Sequence, residues 1–192
     1  MVRVGVLAVQ GDFAEHLTVL KRLEVKSSEV RLPGDLARVD ALIIPGGEST
    51  TIRRLMDRYD LSQAISERVR GGMPVWGTCA GMIVLARGLT EDRPEPLGLM
   101  DIVVARNAFG RQVDSFEEDL PIPTLGKEPF HAVFIRAPVI RETGEGVEVL
   151  ASLAKGTPVA ARQGHMLVTA FHPELTDDPR LHAYFLRWVR KG

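Results

Sequence analysis

Pro74-Val75-Trp76-Gly77-Thr78-Cys79-Ala80-Gly81-Met82-Ile83-Val84-Leu85-Ala86 reads as a short buried strand, a very tight turn and an apolar helix. The only cysteine of the chain stands on the turn, at the centre of a G-x-C-x-G pattern. That pattern is the sequence form of a nucleophile elbow, a strained strand-to-helix turn that lifts a reactive side chain above a sheet. Gly77 and Gly81 remove side chains where strand and helix must nearly touch. The free N–H groups at the start of the helix favour negative charge, on a thiolate or on an oxyanion. A lone thiol is often no more than a small buried apolar group, so the elbow has to be weighed with the rest of the chain.

Working outward, buried strands alternate with amphipathic helices. Val4–Val9 and Ala41–Ile44 are continuous β-prone runs of the kind buried on both faces of a sheet. Phe13, Leu17, Leu20 and Leu23 recur at helical spacing, and Glu29–Leu32 reads as a short second strand. Helices are expected from about Thr51 to Tyr59 and from Leu61 to Arg70, with Gly71-Gly72 closing the second. This order predicts an α/β fold: an open, mostly parallel sheet with helices on both faces. After Gly88 the texture changes. Residues 91–98 read as a surface loop. Short strand-like runs at Asp101–Ala105, Val133–Arg136, Val147–Leu153 and Pro158–Arg162 suggest added antiparallel strands. Met166–Phe171 returns to a buried strand, and a terminal helix starts at Pro179. No repeat or linker interrupts residues 1–192, so one domain is expected.

Composition excludes several classes. The chain has 24 basic and 25 acidic residues, so nothing global points to nucleic acid or an anionic membrane. One cysteine forms no internal disulfide and is too few for a cysteine-based metal site; neither a metal nor another cofactor is expected. No apolar run approaches the roughly 20 residues needed to span a bilayer, and the apolar start is too short for a signal peptide. A reducing, cytoplasmic setting is the expectation for such a thiol.

Three of the buried strands end in chemically loaded segments. Ala41–Ile44 leads into Pro45-Gly46-Gly47-Glu48-Ser49, the elbow strand into Cys79, and Met166–Phe171 into His172-Pro173-Glu174. Ligands of open parallel sheets bind beyond the carboxyl ends of the strands, so three parallel neighbours would aim these segments into one crevice. Proline holds His172 extended, and residues two apart on an extended segment point the same way, which would set Glu174 beside the imidazole. That carboxylate would fix one ring nitrogen and aim the other at the thiol. Gly46-Gly47 would bring backbone donors close to a substrate carbonyl; the N–H groups of Gly47 and Ala80 are the candidate oxyanion hole. His16, His131, His165 and His182 are expected at the surface or half-buried.

Gly77-Thr78-Cys79-Ala80-Gly81 with a distant His172-Pro173-Glu174 resembles the class I (triad) glutamine amidotransferases, whose fold is flavodoxin-like. Pro45–Thr51, the block Arg106–Phe116, the start Gly5–Gly11 and Phe134–Pro138 are similar to one branch of them, the glutaminase subunits of pyridoxal 5'-phosphate synthase. The similarity runs from Val4 to about Thr176, departing at residues 24–30, which are shorter and more charged. The resemblance implies hydrolysis of L-glutamine to glutamate and ammonia, with ammonia passed to a partner, the synthase subunit. It implies Cys79 as nucleophile, His172 as base and Glu174 as its orienter, with Gly47, Glu48, Ser49, Arg106, Ile135 and Arg136 lining the glutamine site. Glutaminase activity is expected to depend on docking to the synthase, because the Gly46-Gly47 turn could point its donor away in the free protein. Three rival readings remain open at this point: the glutaminase of a different amidotransferase, a cysteine hydrolase of the dienelactone type, and a docking subunit without activity.

Overall fold

The computed structural model of the chain describes residues 2–106, 108 and 115–189. Among them the chain runs β1 (Arg3–Leu7), α1 (Phe13–Arg22), β2 (Lys26–Val30), α2 (Pro33–Leu36), β3 (Ala41–Ile44), α3 (Ser49–Arg58) and α4 (Leu61–Arg70). The elbow follows as β4 (Val75–Thr78) and α5 (Ala80–Leu85). Next come β5 (Ala86–Leu89), β6 (Met100–Ala105), β7 (Ser115–Leu120), β8 (Phe130–Ile135) and β9 (Val139–Thr143). The chain closes with β10 (Glu148–Ser152), β11 (Pro158–Gln163), β12 (Met166–Thr169) and α6 (Arg180–Val189).

The main sheet has the order β10-β11-β12-β4-β3-β1-β2. From β12 to β2 every pairing is parallel, and β10 and β11 extend it antiparallel on the far side. β3, β4 and β12 are therefore parallel neighbours, and their carboxyl ends open on one side. The apolar runs explain the arrangement. Every residue of β3 and β4 is buried, as a central strand with both faces covered requires. Side chains alternate along β4, so the two faces can be told apart. Trp76 points toward α1 and α6, with its ring against those of His16, His182 and Phe185. Gly77 points the other way, against α5. Helices thus cover both faces. Burying a large apolar side chain such as Trp76 contributes at least about 2–3 kcal/mol. Two smaller sheets, β5-β6-β9 and the hairpin β7-β8, complete the described fold. No helix among the described residues is long and apolar enough to cross a membrane.

Several local expectations shift. β2 pairs over Lys26–Val30 rather than Glu29–Leu32, because Val30 lies opposite Leu7 of β1 while Leu32 is left exposed. α3 begins at Ser49, two residues earlier than expected, since the Glu48 side chain accepts from the N–H groups of Thr50 and Thr51 and caps it. α2 was not foreseen; Pro33 opens it, and Asp35 accepts from the N–H groups of Arg31 and Leu32. β7 and β9 were also missed. β7 has the charged sequence Ser115-Phe116-Glu117-Glu118-Asp119-Leu120, and only pairing with β8 and the stacking of Phe116 on Phe134 define it as a strand. Most of the Arg106–Phe116 block, positions 107 and 109–114, lies outside the described residues.

Both glycines of the elbow have a steric reason. A Cβ on Gly77 would strike the backbone of Gly81, and one on Gly81 would strike the carbonyl oxygen of Ile44. Both obstacles are backbone, so neither yields easily. Gly81→Ala is therefore expected to destabilise the protein by about 3 kcal/mol, the upper range for overpacking. Denaturant unfolding of the variant measures it; a midpoint equal to that of the parent would contradict the packing described.

Candidate active site

Cys79 sits between β4 and α5 with φ 47° and ψ −102°, a conformation that non-glycine residues seldom adopt. Its backbone is tied on both sides. The N–H donates to Thr169 O at 2.8 Å, and the carbonyl accepts from Met82 N at 3.1 Å. The strain is the elbow's signature: the turn holds the thiol at the edge of a cleft while the side chain stays 7% exposed. Its Sγ lies 3.9 Å from the carbonyl oxygen of Ile135.

His172 follows β12, and its N–H donates to Val133 O of β8 at 2.8 Å, which fixes the backbone from which the ring projects. Its Nδ1 lies 2.7 Å from Glu174 Oε1 and 3.6 Å from Asp12 Oδ2, and the ring lines the same cleft as the Cys79 thiol. Glu174 reaches Nδ1 by a different route from the extended segment expected. Pro173–Leu175 is a 3₁₀ turn, and the carboxylate curls back from it toward the imidazole. Burial disfavours an imidazolium here, but the hydrogen bonds and charges of Cys79 and Glu174 outweigh it and push the His172 pKa up to about 10. Burial raises the Glu174 pKa, with His172 pulling the other way. The pair favours an imidazolium at His172, held by the Glu174 carboxylate on the cleft that Cys79 also lines.

The first glycine of the Gly46-Gly47 turn makes room for this base: a Cβ on Gly46 would collide with the His172 ring. The second takes φ +152° and packs on Gln10, whose Oε1 accepts from Glu48 N at 2.8 Å. Partial burial works against the Glu48 carboxylate, yet the Thr50 and Thr51 donors hold its pKa below the usual range. Glu48 Oε1 faces Arg106 Nη2 at 3.6 Å, and Arg106 Nη1 donates to Arg93 O at 2.6 Å. Arg136 has φ 43° and an exposed side chain.

These segments enclose a cleft of about 430 Å³. Cys79, Ala80, His172, Gly47, Glu48, Ser49, Arg106, Ile135 and Arg136 all line it, and Glu174 stands buried behind His172. The structure therefore brings together every residue singled out from the sequence. Gln10, Gly11, Asp12 and Ile83 line it as well and were not singled out. The first three follow β1, the next parallel strand beyond β3, so the rule that placed three strand ends in the crevice applied to a fourth. Ligand atoms of Asp12, His172 and Glu174 also lie within 4.8 Å of one another. Within that group His172 Nδ1 and Glu174 Oε1 are already committed to each other.

Of the remaining histidines, His131 and His165 lie as expected, while His16 and His182 correct the surface expectation. His16 and His182 are fully buried, on the side of β4 opposite α5. Helical spacing held the signal: His16 falls on the stripe of Phe13, Leu17 and Leu20, and His182 on that of Leu181, Phe185 and Leu186. His131 is exposed between Glu117 and Asp119, and His165 is half-buried with Nε2 2.7 Å from Val69 O.

The model of the SNO glutamine amidotransferase family matches residues 6–191. A protein of Herpetosiphon aurantiacus named pyridoxal 5'-phosphate synthase subunit PdxT is 62% identical over 186 residues, covering 95% of this chain and 98% of that one. A protein of the same name from Thermus thermophilus is 58% identical over 185 residues, covering 95% of each. A crystal structure of a glutamine amidotransferase superposes with TM-score 0.92 at 54% identity, covering 97% of this chain and 98% of the other. The structure of PurLQS from Thermotoga maritima shares the fold, with TM-score 0.69 at 13% identity and coverage of 98% and 99%. With most of its length matched by the family model and more than half of its residues shared with full-length relatives, the chain belongs to the SNO glutamine amidotransferase family.

Proposed function

We propose that this protein is the glutaminase subunit of a pyridoxal 5'-phosphate synthase, releasing ammonia from L-glutamine for a synthase subunit that it docks. The observation that carries the reading is the chain Cys79–His172–Glu174 at the mouth of the cleft, in a member of an amidotransferase family whose curated relatives bear that synthase's name. A dienelactone-type hydrolase finds no support in that family membership.

In the proposed reaction Cys79 Sγ attacks the side-chain amide carbon of glutamine. The oxyanion that forms is received by the N–H groups of Gly47 and Ala80, where each preset donor is typically worth about 3–4 kcal/mol. His172 then protonates the amide nitrogen, the C–N bond breaks, and ammonia leaves a γ-glutamyl thioester on Cys79. Water, giving up a proton to His172, attacks the thioester carbon; the C–S bond breaks and glutamate and the thiol are restored. Glutamine and water are consumed, glutamate and ammonia produced.

Glu48, Ser49 and the guanidinium groups suit the α-ammonium and α-carboxylate of the substrate. Arg106 is engaged with Glu48 and the Arg93 carbonyl, so we assign the carboxylate to Arg136, a bidentate partner by geometry. The reactive thiol fits a reducing, cytoplasmic setting. The test is ammonia and glutamate release from glutamine, measured first without the synthase partner and then with it at saturation. Glutamine-dependent release that rises on docking is the expected result. No release under either condition would refute the reading, and full release without the partner would refute its dependence on docking.

A further inference from the structure

Glu174 commits one carboxylate oxygen to His172, while the other, Oε2, completes no hydrogen bond of ordinary geometry among the described residues. A buried acceptor in that state is costly, more so when it carries charge. Facing Oε2 across 3.4 Å is His16 Nε2 of α1, and both side chains are fully enclosed. The same nitrogen lies 3.3 Å from Thr78 Oγ1, the residue that precedes Cys79. On its other side, His16 Nδ1 is 3.0 Å from Nε2 of His182 on α6.

The two ends of this row of side chains fix its protonation. Burial first, then the neighbouring His182 and His172, keeps His16 well below the usual histidine range; burial, with the Arg22 charge, pushes His182 down to about 3. Both rings are neutral, so each has one N–H. With the proton of His16 on Nδ1, its bare Nε2 would confront the Glu174 carboxylate. His182 would then bury an N–H at Nδ1, an atom without a partner. With the proton on Nε2, it has Thr78 Oγ1 at 3.3 Å and Glu174 Oε2 at 3.4 Å as its neighbours, His182 Nε2–H donates to His16 Nδ1, and the unpartnered His182 atom is only a bare lone pair. The second arrangement leaves no buried ring N–H without an acceptor nearby and turns no lone pair toward the carboxylate.

We propose that His16 is a positioning residue of the glutaminase reaction, its Nε2–H securing the free oxygen of Glu174 while its Nδ1 is held by His182. The proposal rests on the roles given above to Cys79, His172 and Glu174. A neutral donor suits the task. It steadies the carboxylate without cancelling the negative charge that sustains the His172 imidazolium, as a cation would. Contacts of this kind are commonly long before substrate is bound and tighten as charge develops. Through Thr78 the same ring also ties the elbow strand to the acid.

The experiment compares two neutral, polar replacements in the complex with the synthase subunit. His16→Gln can place an amide N–H near the position of Nε2, whereas the shorter His16→Asn reaches only the position of Nδ1 and keeps the contact with His182. The expected result is near-parental kcat for His16→Gln and about a tenfold fall for His16→Asn, the scale of one hydrogen bond to a charged group, with KM for glutamine little changed. The acid limb of the kcat profile should move to higher pH in His16→Asn, because a carboxylate deprived of a donor binds a proton more readily. Of the titratable groups, His172 and Asp12 also face Glu174, and His182 faces His16. In a Glu174→Gln background, His16→Asn should cost little further, since the two act as one unit. Equal impairment by Gln and Asn, parental kcat in His16→Asn, or additive losses would overturn the proposal. Full activity of Glu174→Gln alone would instead refute the role of Glu174. Nitrogen-15 NMR of the parent protein tests the tautomer without any variant: a His16 ring protonated at Nε2 is expected, and one protonated at Nδ1 would overturn the proposal too.

Discussion

Cys79→Ala is expected to abolish glutamine hydrolysis, with a fall in kcat of about 10⁴-fold or more, the loss typical of removing a covalent nucleophile. The chain has no second cysteine, so no neighbouring thiol can take over. Alanine removes only the sulfur, and the strained turn keeps the hydrogen bonds that Cys79 makes through its backbone to Thr169 and Met82. Glutamine should still enter the cleft, so docking to the synthase should survive in the variant while ammonia release does not. Relief of strain is not part of the effect, since alanine is no more at ease at positive φ than cysteine. Ammonia release in the synthase complex measures it; activity within tenfold of the parent would remove Cys79 from the mechanism.

His172 and Glu174 should differ in degree. His172→Asn is expected to cost about 10²–10⁴-fold in kcat, because proton transfer to the leaving ammonia and from the attacking water is lost. Glu174→Ala should cost less. Asp12 Oδ2 already lies 3.6 Å from His172 Nδ1 and can take over part of the carboxylate's work, although it is more exposed and less firmly held. The pH profile separates the roles. The Glu174 carboxylate helps to raise the His172 pKa to about 10, so its removal lowers that value. The imidazolium is then lost at lower pH, and the alkaline limb of kcat moves down. His172→Asn abolishes that limb rather than shifting it. A Glu174→Ala enzyme less active than His172→Asn would mean that the two roles are misassigned.

The elbow and the parallel core were legible because their signals are local. A continuous apolar run ended by glycine can be read without knowing what packs on it, and Ala41–Ile44 and Leu61–Arg70 fall where periodicity puts them. β7 could not be read so, since Glu117, Glu118 and Asp119 carry no strand signature and the strand exists through its pairing with β8. β2 was misplaced for a related reason: a polar edge strand takes its register from its neighbour, here from Leu7 opposite Val30. At the site, His172-Pro173-Glu174 suggested the right neighbours by the wrong geometry, an extended triplet in place of a 3₁₀ turn. Asp12 and His16 escaped notice because each meets the triad through a contact distant in sequence. His16 in particular looks like one polar residue on a helix until the fold closes it against Glu174, Thr78 and His182.

Cys79, set in this cleft, takes glutamine as a covalent substrate. Covalent capture is measured by treating the protein in complex with the synthase subunit with an electrophilic glutamine analogue, then mapping the adduct by mass spectrometry. One adduct per chain is expected, carried by the peptide containing Cys79, formed at a rate that free glutamine suppresses and that His172→Asn greatly slows. Labelling at another residue, or labelling of Cys79 that glutamine does not slow, would contradict it.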